Sequence, residues 1–477
     1  MKKLHTILIG IFLSLVSCTD FTDIDPKGKN ILNTVDDLDL VLNYQYSLSI
    51  YNYVINMMND IYPQMTNIPD LVNQSPRTLR SIYVSWDETS DRESLTTSDE
   101  IYTGLYKIIG QVANPVLLNI DNADGDRKKA NRLKAEALVL RGWCHYLLVN
   151  IYAKAYDPTT AATDPGIVYT IETEAVETPN EKLTVAQIYE NILSDVNAAL
   201  ELGSLSTSPS KMRIGQAFAY AVKAKVLMSM HDYDGAFKAA TASLKVKNTM
   251  DNYNDLVIPE VTYGTGISEF THPYLELNEE LFDTPVLFFY EAFTTDLWNA
   301  FEEGHIVKEY ALTDTRLYGM NMFGSSFYGL NIPMMISMNM YYSPIGLTTV
   351  DMYLTQAECY IREGNLTEAM NTLNNIRQHR IITSKYADLS ASTPEAAITI
   401  LKNIYRTENY ATLKNFIDLK RWNTDATFQA TLYKSISYTA NGETKNFSAE
   451  LTPDSPLWIL PFPQNATDYN PNLTQNY

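Results

Sequence analysis

Two stretches of this chain place aromatic rings beside groups that form hydrogen bonds. One holds Arg77, Arg80, Tyr83, Trp86 and Asp87; the other holds Trp298, Asn299, Phe323, Tyr328, Tyr341 and Tyr342. An aromatic ring can cover the flat C–H face of a sugar, while amide, carboxylate and guanidinium groups satisfy its rim of hydroxyls. The chemistry these residue types suit is capture of a polyhydroxylated ligand without turnover. For any single ring, core packing is the competing reading. Trp86 and Trp298 lead as ligand contacts because both sit among polar neighbours.

Catalytic patterns are missing from the sequence. It contains no nucleophile elbow, phosphate loop or HExxH zinc motif. The six histidines are scattered, and Glu302-Glu303-Gly304-His305 reads as a solvated loop rather than a metal site. Carboxylates are plentiful, but the separation that makes a glycosidase pair exists only in three dimensions. The expectation is a binding protein, not an enzyme, with no cofactor and no metal. Met320, Met322, Met334, Met335, Met338 and Met340 read first as packing within their own segment. Their second reading is an adaptable apolar contact with a ligand or partner.

Cys18 carries a different chemistry. Lys2-Lys3 precedes a short apolar run, Leu4–Val16, and Leu15-Val16-Ser17-Cys18 matches the lipobox of bacterial lipoproteins. Cleavage before Cys18 would leave a lipid-bearing amino terminus. Acyl chains anchor at ~0.8 kcal/mol per buried methylene, without any spanning helix. The expected organisation is a signal peptide over 1–17, a lipidated tether over 18–34 and one domain over 35–477. Cys144 and Cys359 fall within apolar helical patterns and read as small buried hydrophobes.

Charge narrows the partners. The formal net charge is -20, which opposes nucleic acid and an electrostatic footing on anionic lipid. With 45% hydrophobic and 19% charged residues the chain is globular, not disordered.

The elements that must position these residues are mostly helical. Val350, Tyr353, Leu354, Ala357, Tyr360 and Ile361 follow the spacing of one helix face. Gly364-Asn365 breaks the run, Asn365 with Glu368 offers a capping box, and Leu366, Ala369, Met370, Leu373 and Ile376 resume it. Two helices joined so tightly lie antiparallel, and Ala357 and Ala369 fall at tetratricopeptide-repeat spacing. Ala224, Leu227, Tyr233 and Ala236 repeat the pattern over 214–245. Further helices are expected over Val35–Met58, Ile101–Asn119 behind a Thr97/Glu100 capping box, Lys128–Tyr152, and Val185–Leu202 behind Thr184/Gln187. Thr393-Pro394 opens a last helical stretch toward Asp418–Trp422. Residues 63–98 read mainly as loop, and about 248–346 as an insert of short helices or strands. The last fifty residues read as loop and short strand. The fold class is mainly α, with tetratricopeptide-like helix pairs and a loop-rich insert.

Several short motifs together resemble the SusD/RagB family of outer-membrane lipoproteins. They are Leu457-Trp458-Ile459-Leu460-Pro461-Phe462-Pro463, the closing Asn470–Asn476 segment, Asp418-Leu419-Lys420-Arg421-Trp422, the helix around Lys134–Tyr152 with Asp164-Pro165-Gly166-Ile167, and the lipobox. One departure is Leu413 and Asn415, where the family often has Gly and Arg. The resemblance spans the chain. It implies helix pairs supporting a loop-rich binding region, a cell-surface location on the outer membrane, and a SusC-like TonB-dependent transporter as partner. It implies an oligosaccharide as nutrient, with peptide as the less common ligand. The alternative is a surface repeat scaffold that binds protein or peptide, as an adhesin or assembly factor does.

Overall fold

The computed structural model describes residues 32–44, 46, 54, 57–63, 66–173, 179–258, 269–270, 277–284, 286–288, 292–314, 328–330, 335–337, 340–343 and 345–477. Cys18 and Phe323 lie outside them.

Helices start where the sequence supplies caps. α1 (Val35–Leu42) opens on a reciprocal Thr34/Asp37 box; part of 43–58 lies outside the described residues. The segment read as loop over 63–98 contains two helices, α2 (Ile68–Val72) and α3 (Leu79–Ser85). Asn67 and Thr78 cap them, so local capping overcomes a proline-rich, polar composition. α4 (Glu100–Ile108) passes through a π-helical turn into α5 (Asn114–Asn119). Its cap is Asp99, which accepts from Ile101 and Tyr102 backbone nitrogens at 2.8 and 3.1 Å, and not Thr97. α6 (Arg127–Tyr152) is the longest helix described. α7 (Val185–Glu201) carries the expected Thr184/Gln187 box.

α8 (Gln216–Ser229) and α9 (Tyr233–Val246) form one helix pair. After the insert, α10 (Thr295–Ala300) is followed by the second pair, α11 (Thr349–Arg362) and α12 (Leu366–Gln378). The offset that carries Ala224 onto Ala357 also carries His231 onto Gly364 and Asp232 onto Asn365. His231 and Gly364 both hold the left-handed turn, at φ 63 and 78. Asp232 and Asn365 both cap the returning helix. Ala224, Ala236, Ala357 and Ala369 are all fully buried, which is how the helices approach so closely. The repeat is therefore equivalent in backbone as well as in spacing.

α13 (Pro394–Asn409) begins at its Thr393 cap with Pro394 in the first turn. The stretch does not continue unbroken to Trp422. Ala411 takes φ 56, and α14 (Leu413–Trp422) starts afresh after Thr412. The tail contains a long hairpin, β1 (Leu432–Ala440) and β2 (Glu443–Leu451), turned by Asn441 and Gly442 at φ 54 and 79. Positive φ at both central residues is the turn that matches strand twist.

The insert does hold short strands. Among the described residues, Ala292–Phe293 pairs with Ile61–Tyr62 on one side and Met335–Ile336 on the other. Leu347 pairs with Phe282 where the chain re-enters the scaffold. His305 is not solvated as expected, and Glu302 is only half-buried. Glu302 accepts from Nε and Nη2 of Arg377 at 2.8 and 2.7 Å, and His305 is buried, which holds its imidazole down at about 3. No group of metal-ligating side chains occurs among the described residues.

The family-like motifs turn out to be buried clasps. Asp418 accepts from Lys225 at 2.6 Å; Arg421 grips both oxygens of Glu358 at 2.8 and 2.7 Å. Lys420 donates to the Asn150 and Ala153 carbonyls at the end of α6. The tail returns over the same place, where Asn476 donates to the Tyr152 and Gly166 carbonyls at 2.7 and 2.8 Å. Among the described residues no helix is long and apolar enough to cross a membrane.

Candidate ligand-binding cleft

The cleft lies between α10, α13 and the β1–β2 hairpin. Its inner half has a volume of about 500 Å³ and a floor of Met58, Leu419 and Trp422. Its outer half, about 580 Å³, runs along the hairpin and shares Asp296 and Tyr433 with the inner half. The alternation of β1 explains the division of labour. Lys434, Ile436 and Tyr438 point inward and are buried, so Tyr433 points outward and is 65% exposed. Glu450 stands directly opposite Tyr433, and Ser448 opposite Ser435.

One wall is a face of α13. Lys402 and Arg406 sit one turn apart, with Asn403 between them. Arg406 Nε donates to Asp60 at 2.6 Å and its Nη2 to the Asn59 carbonyl at 3.1 Å. Asn415 donates to the other oxygen of Asp60 at 2.8 Å. Burial pushes the Asp60 carboxyl above the usual range, against the pull of Arg406. Asn59 also donates to Asp296 on the facing helix, which ties the two walls together. Lys402 donates to the Phe428 carbonyl and lies 5.2 Å from the centre of the Trp422 ring. Burial pulls the Lys402 ammonium below its ordinary pKa.

Of the residues singled out from sequence, the cleft takes Asn299. Trp298, on the same helix, is half-buried, with the Lys308 ammonium 4.9 Å from its ring centre. Trp86 and Tyr83 are core residues and offer no face to a ligand. Trp86 is 5% exposed, its indole donates to the Met57 carbonyl at 2.7 Å, and the Lys434 ammonium covers its ring at 4.3 Å. Its left-handed backbone, φ 54, folds it inward despite polar neighbours. Arg77 pairs with Asp87 at 3.1 Å. Partial burial opposes ionisation of Asp87, but bonds from Thr89 and Ser90 and the Arg77 charge outweigh it and hold the carboxyl at about 2. Arg80 is exposed and reaches Thr66. Tyr328 is buried against Tyr62. Tyr341 and Tyr342 belong to a strand that pairs with Leu287 and Val286. Met335 and Met340 are in strands; Met320, Met322, Met334 and Met338 lie outside the described residues.

The first sequence stretch thus backs the hairpin, while its front faces the cleft. Sequence reasoning missed Tyr433, Asp296, Asn403 and Arg406. The signal for Tyr433 was present: Asn441-Gly442 amid alternating residues marks a hairpin. Nothing local marks Asn403 or Arg406, because they act only through the packing of α13 against the insert.

Two family profiles match this chain. One, described as starch-binding associating with outer membrane, matches residues 29–228; the other, the SusD family, matches 349–477. Solved structures share the fold. A SusD superfamily protein from Bacteroides thetaiotaomicron is 19% identical with a TM-score of 0.68, covering 93% of this chain and 100% of its own. A sugar-binding protein from Bacteroides vulgatus is 17% identical at 0.66, covering 94% and 99%. Surface glycan-binding protein A from Bacteroides uniformis is 15% identical at 0.64, covering 93% and 99%. No curated protein sequence matches.

Proposed function

Because the chain belongs to the SusD/RagB family, we propose that it is a cell-surface lipoprotein that binds a nutrient oligosaccharide and passes it to a SusC-like TonB-dependent transporter. The observation that carries the binding role is Tyr433, an exposed ring set above a wall of amide and guanidinium groups. A pyranose stacked on that ring brings its hydroxyl rim to Asn299, Asn403, Thr431 and Arg406. Capture of this kind needs no activated nucleophile, and the bonds of Arg406 and Asn415 to Asp60 fix part of the wall in position. The names of the matched relatives, sugar-binding and glycan-binding, support the same ligand class for this cleft.

Isothermal titration calorimetry against a panel of neutral and acidic oligosaccharides tests the reading. Tyr433→Ala should weaken binding at least several-fold, since one stacked ring contributes ~1 kcal/mol or more. Its melting temperature should stay nearly unchanged, because the side chain is exposed. If Tyr433→Ala binds as the wild type does, the glycan site is elsewhere. If no glycan binds, the function is wrong.

A further inference from the structure

Lys402 and Arg406 are the cations of the inner cleft, and their hydrogen-bonding capacity is only partly used. Lys402 Nζ donates to a carbonyl, that of Phe428, and has no ion-paired carboxylate among the described residues. Arg406 spends Nε on Asp60 and Nη2 on the Asn59 carbonyl, which leaves Nη1 without a protein partner among the described residues. Asp60, already shared by Arg406 and Asn415, sits behind the wall and is fully buried.

Many cations elsewhere are ion-paired, although Lys182, Lys247 and Lys308 also rest on carbonyls. Acidic side chains outnumber basic ones here, 56 to 36. Lys225, Lys414 and Arg421 each meet a carboxylate within 3 Å. Lys420 and Lys434 lack one, but both are buried against carbonyls, and Lys434 borders only the outer half of the cleft. Lys402 alone among these is half-buried and lines the inner cleft. The acids of the cleft lie toward the other side: Glu450 in the outer half, and Asp296 on the facing wall, held by Asn59.

Resting on the glycan reading of this cleft, we propose that its inner half accepts an acidic substituent of the sugar chain. A uronate carboxylate or a sulfate ester both supply that chemistry. Lys402 Nζ and Arg406 Nη1 donate to its oxygens, and Asn403 closes the same wall. Charge-assisted bonds of this type are about twice as strong as neutral ones. The outer half, with Tyr433, Ser435, Ser448 and Glu450, takes neutral sugars. The net negative charge of the protein does not forbid this, because exposed charges are screened beyond ~8 Å at physiological salt.

Calorimetry with trigalacturonic acid, a chondroitin sulfate tetrasaccharide and maltohexaose separates the possibilities. At least one acidic probe should bind about tenfold or more tighter than maltohexaose, and lose affinity as salt rises. Lys402→Gln should remove about tenfold of that affinity and Lys402→Arg should restore it. Lys402 also packs on Trp422, so Asn403→Asp serves as the second variant; Asn403 is exposed, and a carboxylate there should repel the acidic probe while leaving stability intact. Which acidic probe binds tells uronate from sulfate. If maltohexaose binds as tightly as the acidic probes, or if an acidic probe ignores both Lys402→Gln and Asn403→Asp, the charge inference falls while the glycan reading stands. If none of the three binds, both fall.

Discussion

Glu358 is fully buried, yet it accepts five hydrogen bonds: from Arg421 and Arg362 guanidinium nitrogens at 2.7 to 3.0 Å, and from the Trp422 indole at 3.1 Å. Burial alone would favour the neutral acid, but the two guanidinium groups outweigh it and hold the carboxyl down at about 2. A folded-state pKa below the ordinary 4.5 means that the unfolded chain binds the proton first. The contribution is fully present above about pH 4.5 and is lost as pH falls toward about 2. Glu358→Gln should cost ~3 kcal/mol at neutral pH, since it removes the charge that Arg421 and Arg362 share and leaves them Asp418 and Asp425 alone. It should also flatten the acid limb of stability between those values, as read by urea unfolding from pH 3 to 7. An unchanged acid limb would show that Glu358 is not the group that titrates there. This residue scale is also where sequence reading was weakest. Trp86 looked like a surface ring because its neighbours are polar, but a left-handed turn hides it beneath Lys434 from the distant hairpin. Tyr433 fell in a tail read only as loop and short strand, yet a long strand presents it to the cleft.

Elements were far more legible, because their signals are local. Thr184/Gln187 and Thr393-Pro394 specify helix starts through bonds that span three residues, so reading them needs no tertiary knowledge. The second helix pair shows the same economy. Gly364 takes φ +78, and a Cβ added there meets nothing within 4 Å. His231 does the equivalent job in the first pair with a full side chain. Gly364→Ala should therefore cost only the conformational penalty of ~1 kcal/mol, a shift of a few degrees or less in melting temperature. A much larger loss would mean that the turn makes a contact the structure does not show. Failures at this scale had a common cause. α2, α3 and the break at Ala411 lie in polar or proline-containing stretches, where one capping residue or one left-handed residue decides the outcome against composition. The insert strands pair across long sequence separations, as Ile61 does with Phe293, and no local signal encodes that partner.

At the scale of the whole molecule, the family-like motifs explain why the chain closes into one body. α6 ends where Lys420 of the Asp-Leu-Lys-Arg-Trp motif and Asn476 of the tail both arrive to satisfy its last carbonyls. Leu457, Trp458, Leu460 and Phe462 are buried against the same core. Such motifs can be recognised in sequence, but their work is visible only when segments from both ends of the chain meet.

The proposed partnership with a transporter belongs to this scale too, and the proposal has two attachments that can be separated. Lipid at Cys18 would confine the protein to the membrane, on a tether over 18–34 that reaches at most ~60 Å. Confinement alone raises the effective concentration of a membrane partner to the millimolar range, so even modest direct contacts stay engaged. A complex that survives detergent, where that confinement is lost, must instead bury ~2,000 Å² or more, the range of permanent assemblies. Cys18→Ala should release the protein from the membrane fraction and remove the acyl mass, while leaving its fold and glycan binding intact. Wild-type protein drawn from solubilised outer membranes should carry a TonB-dependent transporter with it. Recovery of the wild type alone, under conditions that preserve other membrane complexes, would reject a stable partnership; a Cys18→Ala protein that remains membrane-bound without acyl mass would reject the anchor.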